Sequence, residues 1–81
     1  MISCQDYDYI EIVCMYHFPI KLELVNGETI QGKALGTQRN TEQEECIKVL
    51  VGEDERLINL SSIKRLTVLM DNPHFHAVEF N

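Results

Sequence analysis

Eighty-one residues, 44% of them hydrophobic, suffice for one small core and leave no room for a second domain or a deep active-site cavity. A formal net charge of −6 opposes the electrostatic term that drives most nucleic-acid binding and directs the chain toward basic partners. No window approaches the ~20 apolar residues of a spanning helix, no secretory pattern opens the chain, and three unpaired-looking cysteines make no disulfide framework, so a reduced, cytoplasmic, membrane-free protein is expected.

The acidity sits in two segments. Residues 1–17 hold Asp6, Asp8 and Glu11 with no Lys or Arg, and residues 41–55 hold six acids against Lys48. The segments 18–40 and 56–81 are each slightly basic.

The first predicted element is a helix within 4–17. Asp6 or Asp8 can cap it, since a short acceptor side chain satisfies free amides of the first turn, and acids there complement the helix dipole. At 3.6 residues per turn Tyr9, Ile10, Val13, Cys14 and His17 gather on an apolar side, while Asp8, Glu11 and Met15 share the other. Tyr9 and Tyr16 are expected to pack in the core. Pro19 ends the helix and disfavours helical geometry at Phe18.

From Ile20 the period becomes two. Ile20 to Leu24 alternates as a half-buried strand, and Asn26-Gly27 is a strong hairpin signal because both residues tolerate positive φ. A second strand is predicted from Thr29 to Thr37, bent or bulged at Gly32 and Gly36. After a polar loop, Gln38 to Glu44, a third strand runs from Cys46 to Val51 with Ile47, Val49 and Val51 on one face. Gly52, Glu53 and Asp54 turn into a short fourth strand, Arg56 to Leu60. Ser61 and Ser62 lead into a fifth, Ile63 to Met70. Asp71-Asn72-Pro73 breaks the chain, and His74 to Phe80 forms an edge strand or ordered tail, its histidines on one face. The expectation is an α+β fold in a single domain, 1–81: a helix within 4–17 capping one end of a bent antiparallel barrel of five to six strands over 20–80.

Two resemblances follow. Asn26-Gly27-x-x-Ile30-x-Gly32 with Ile58-x-Leu60-x-x-Ile63 resembles the Sm-type small barrel, some members of which bind RNA through their loops. More specifically, Cys4-x-Asp6-Tyr7-Asp8-x-Ile10-Glu11-x-x-Cys14, with the strand and turn pattern behind it, resembles the Rho-binding antiterminator (Rof) family over roughly residues 3 to 70. That resemblance implies a helix on an Sm-like barrel and binding to the N-terminal RNA-binding region of the termination factor Rho, which keeps RNA off Rho. The loop 38–45 is more acidic than the family pattern suggests.

The implied mode is an acidic surface meeting a basic one. Carboxylates make charge-assisted hydrogen bonds to Lys and Arg, and tyrosines supply flat area at low entropic cost. The candidate partner-binding residues are Asp6, Tyr7, Asp8 and Glu11 on the helix, with Arg39 and Asn40 in the loop; Asp6 serves equally well as a helix cap. The free chain is expected to be a monomer, without cofactor or metal and without direct nucleic-acid binding. Cys4, Cys14 and His17 do not have the paired spacing of a zinc site, and no nucleophile has an activating partner, so no enzyme is expected. The alternative is an Sm-like RNA-binding module, which would gather its bases on one face; a regulatory domain with another partner is the third possibility.

Overall fold

The computed structural model describes residues 4–80. The helix α1 spans Cys4–Met15, followed by β1 (Pro19–Leu24), β2 (Thr29–Arg39), β3 (Glu45–Val51) and β4 (Asp54–Asn59). A single 3-10 turn, Leu60–Ser62, leads into β5 (Ile63–Val68), and β6 (Ala77–Glu79) closes the order. The strands form one antiparallel sheet in the order β4-β3-β2-β1-β5-β6. One helix on a strongly bent sheet makes an α+β, small-barrel fold.

The alternation from Ile20 to Leu24 sends Ile20, Leu22 and Leu24 into the core and leaves Lys21 and Glu23 outside. Leu24 pairs with Glu28 around a three-residue loop, Val25 to Gly27, in which Gly27 alone has positive φ, at 93°. The side chain of Asn26 accepts the Glu28 amide at 2.8 Å, so Asn26 works through its side chain and not through a left-handed backbone. At Gly52 a φ of 64° turns β3 into β4.

The glycines of β2 have different jobs. The register with β3 shifts between Ala34 and Gly36, which places the bulge there. Gly32 is needed for space: a Cβ would press on the Leu50 carbonyl and lie 2.6 Å from Val49 Cγ1. β2 runs on to Arg39 and β5 stops at Val68, and residues 74–76 lie outside any strand, so His74 and His76 do not share a strand face.

The helix packs on β2 and closes the core. Ile10 and Val13 are wholly buried, and with Cys14 and Phe18 they join Ile20, Leu22, Ile47, Val49 and Leu66 in one cluster. His17 departs from the expected apolar side. The helix stops at Met15, and His17 adopts a left-handed φ of 52° and is exposed. The Phe18 amide donates to the Val13 carbonyl at 2.9 Å and the His17 amide to the Cys14 carbonyl at 3.2 Å, the hydrogen-bond pair of a Schellman helix stop. That stop turns Phe18 inward and delivers the chain into β1.

Candidate functional site

The helix that fills the core also carries the acids. It starts at Cys4, which puts Asp6 in its first turn and Asp8 beyond it; neither is the residue preceding the helix, and Asp6 acts on the helix dipole. The side chain of Cys4, weighed as a metal ligand, lies outside what the structure describes. Asp8 and Glu11 are both exposed. Three residues apart, they lie on one face with their Cβ atoms about 5–6 Å from each other. Met15 continues the same stripe and is 70% exposed. No basic residue occupies the last turn.

The ion pairs leave Asp8 and Glu11, like Glu42, Glu53, Asp54 and Asp71, without a cation among the described residues. Among the described residues the ion pairs are Arg39–Glu45 at 3.3 Å, Lys48–Glu55 at 3.7 Å, Arg56–Glu28 at 3.4 Å, and Arg65 with Glu23 at 3.8 Å and Glu79 at 2.9 Å. All involve the sheet and its turns, and none reaches Asp8 or Glu11. Exposed pairs like these contribute little stability individually. Their consequence is that four of the seven cations already face carboxylates, and among the described residues none of these pairs draws on Asp8 or Glu11.

Tyr7, next to these acids, is half-buried and packs against the core cluster. Tyr9 is also half-buried and meets Phe75 with ring centroids 4.7 Å apart. Tyr16 contradicts the expectation of core packing: it is 52% exposed, because the helix ends one residue before it. One stacked contact is with Phe18 at 5.3 Å and another with His74 at 5.1 Å.

Arg39, expected in the loop, is instead the last residue of β2, and Asn40 begins the β2–β3 connection; both are engaged in building that turn. Arg39 donates to the Gln43 carbonyl at 2.7 Å and pairs with Glu45. Asn40 Oδ1 accepts the amides of Glu42 at 2.9 Å and Glu44 at 3.0 Å, while its Nδ2 donates to Glu44 Oε1 at 3.1 Å. Hydrogen bonds from Asn40 first and Asn59 second hold the Glu44 carboxyl below its ordinary value. The acidic loop is therefore partly organised by its own asparagine.

Burial first, and the charge of Glu11 second, push the Cys14 thiol up to about 11, far from a reactive thiolate. Burial likewise raises Cys46. Among the described residues no three His, Cys, Asp or Glu side chains converge to hold a metal ion, and no helix is long and apolar enough to cross a membrane. What sequence reasoning missed is the aromatic contact between helix and tail: periodicity carries no signal for a ring such as Phe75, which reaches the helix from an irregular segment.

A family model described as "Modulator of Rho-dependent transcription termination (ROF)" matches residues 1–80. Among curated proteins, "Protein rof" of Escherichia coli (strain K12) and of Shigella flexneri are each 44% identical over 43 residues, 51% of this chain and 51% of theirs. The chain thus spans about half the length of the curated relatives it matches. The solved structure "YaeO bound to Magnesium from Vibrio cholerae O395" matches with a TM-score of 0.89 and 37% identity, covering 93% of this chain and 97% of that one.

Proposed function

The chain belongs to the family of modulators of Rho-dependent transcription termination, and on that premise we propose that it binds Rho at its N-terminal RNA-binding region and blocks RNA loading, so that Rho-dependent termination is inhibited. The observation that carries the proposal is the exposed Asp8–Glu11 face of α1, which no ion pair among the described residues reaches. A surface that holds RNA must present Lys and Arg to phosphates, and these same groups can donate to carboxylates one helical turn apart. The inhibitor then acts by occupancy, with no covalent step.

The helix suits this role physically. Its buried side, Ile10 and Val13, anchors it to the barrel, so Asp8 and Glu11 lose little freedom on binding beyond their own rotamers. The exposed part of Tyr7, one turn before Glu11, extends the same face, and Asp6, which the helical period places on another side, adds a contact from the first turn. Arg39 at the end of β2 and Asn40 in the loop after it add contacts, with Asn40 fixing the shape of that loop. The free chain acts as a monomer that holds no RNA itself, since a charge of −6 opposes phosphate binding.

Competition on Rho tests this. Rho is loaded with labelled pyrimidine-rich RNA and titrated with the protein. RNA should leave Rho as protein binds, and the effect should weaken as salt rises. Unchanged RNA affinity at saturating protein would refute the proposal. Tight binding of RNA by the protein alone at physiological salt would favour the Sm-like RNA-binding alternative.

A further inference from the structure

Six large hydrophobic side chains are exposed among the described residues, and four of them belong to the two segments 15–19 and 69–75. Met15 (70%) and Tyr16 (52%) leave the end of α1, while Leu69 (46%) and Met70 (48%) follow β5. Val25 and Leu57 lie elsewhere, in the β1–β2 hairpin and on β4. The segments 15–19 and 69–75 are tied together by specific bonds. The Leu69 amide donates to the Pro19 carbonyl at 2.8 Å, and Tyr16 stacks on both Phe18 and His74. Asn72 fixes the turn that carries His74: its Nδ2 reaches the Met70 and Phe75 carbonyls at 3.1 and 3.0 Å, and its Oδ1 accepts the His74 and Phe75 amides at 2.8 and 3.1 Å. The exposed rings of Tyr16 and His74 are thus held against each other in a fixed place.

The charge around these two segments is one-sided. Residues 1–20 and 66–81 contain no Lys or Arg; all seven cations lie between Lys21 and Arg65. The helix and the turn after β5 bring Asp8, Glu11 and Asp71 instead, while Glu79 already faces Arg65. Along α1 the carboxylates of Asp8 and Glu11 lead directly to Met15 on the same stripe. A protein surface built for single-stranded RNA combines cations for phosphates with flat apolar platforms for bases. Carboxylates beside exposed sulfur and stacked rings complement both halves of such a surface. A second copy of this surface would meet it with like charge.

We propose that Met15, the Tyr16–His74 pair, Leu69 and Met70 form an apolar docking surface for the base-stacking part of Rho's RNA-binding region, beside the cations engaged by Asp8 and Glu11. This rests on the function proposed above and adds a separate, salt-insensitive component to it. Met and aromatic residues are favoured at the buried centre of interfaces, with charges at the rim. The carboxylates steer encounter and the apolar surface slows departure.

The test uses the full chain and purified Rho, with affinity and dissociation rate measured at several salt concentrations. Met15→Gln, Met70→Gln and Tyr16→Ser should each weaken binding about tenfold, mainly through faster dissociation, and leave the salt slope unchanged. Asp8→Asn and Glu11→Gln should flatten the salt slope. Tyr16→Phe, which keeps the ring, should bind like the parent, and thermal melts exclude loss of fold in the other variants. If the apolar variants bind like the parent while the carboxylate variants fail, the docking surface is refuted and the proposed function stands. If the parent itself forms no complex with Rho, both fall. If sedimentation shows concentration-dependent dimers that Met15→Gln abolishes, with Rho binding intact, the surface belongs to a second copy and the proposal is overturned.

Discussion

Replacing His17 by glycine should stabilise the protein. His17 holds φ at 52°, in the left-handed region where a Cβ crowds the following carbonyl, at a cost of roughly 1–2 kcal/mol for an L-residue. The position is set by the helix stop, since the Phe18 and His17 amides close on Val13 and Cys14. The side chain is exposed, so little packing is lost on its removal. Glycine removes the steric cost but loosens the unfolded chain, which gives back roughly 0.5–1 kcal/mol. The net gain is about 0.5–1 kcal/mol. For a domain of this size each kcal/mol moves Tm by about 4–8 °C, so His17→Gly should raise Tm by roughly 2–8 °C. His17→Val should do the reverse and more, because a β-branched residue is poorly accommodated at positive φ. Circular-dichroism melts of the three proteins decide it. A glycine variant that melts lower than the parent, with a valine variant that melts like it, would show that α1 does not end in this left-handed stop.

Ile10 is wholly buried, so Ile10→Ala should cost about 2–5 kcal/mol, a large part of the ~4–12 kcal/mol that a domain this size has, and denaturant titration should show it as a lower midpoint. Gly32→Ala should cost about 1–3 kcal/mol, because its methyl meets the Leu50 carbonyl and Val49, whereas Gly36→Ala, with open space around it, should leave the midpoint nearly unchanged. The Glu44 carboxyl is held below its ordinary 4.5 when folded, so its hydrogen bonds stabilise the protein above that value, and the contribution is lost as pH falls through the lowered one. Asn40→Ala removes the largest cause of that shift, and Tm followed from neutral into acid pH should fall less steeply than in the parent.

Much of the fold could be inferred from residue order alone, for identifiable reasons. Strict alternation at Ile20 to Leu24 leaves only one choice of buried face, and Pro19 has to follow the helix end. The seam between Asp8, Glu11, Met15 and the buried Ile10 and Val13 follows from the helical period. Features set by close approach or irregular backbone were not legible in this way. The bulge near Gly36 was legible from its glycine, but the crowding that makes Gly32 necessary, where a Cβ would meet β3, depends on how β3 lies across β2. The left-handed stop at His17 moved Tyr16 out of the core and into a stack with His74, whose segment has no period to read. The structural work of Arg39 and Asn40 depends on a tight loop whose hydrogen bonds no composition rule foretells.

The most direct test of the proposed inhibition is the affinity of Rho for the double variant Asp8→Asn, Glu11→Gln, measured against the parent by calorimetry at moderate salt. Both substitutions keep size and helix-compatible chemistry on exposed positions, so Tm should stay within a few degrees of the parent. Each lost charge-assisted hydrogen bond is worth roughly 1.5–3 kcal/mol, so the pair should weaken binding by at least about a hundredfold and release the block on RNA loading. A double variant that keeps its fold, binds Rho with the parent's affinity and still displaces RNA would contradict the account, because the acidic face of α1 would then be merely solvated.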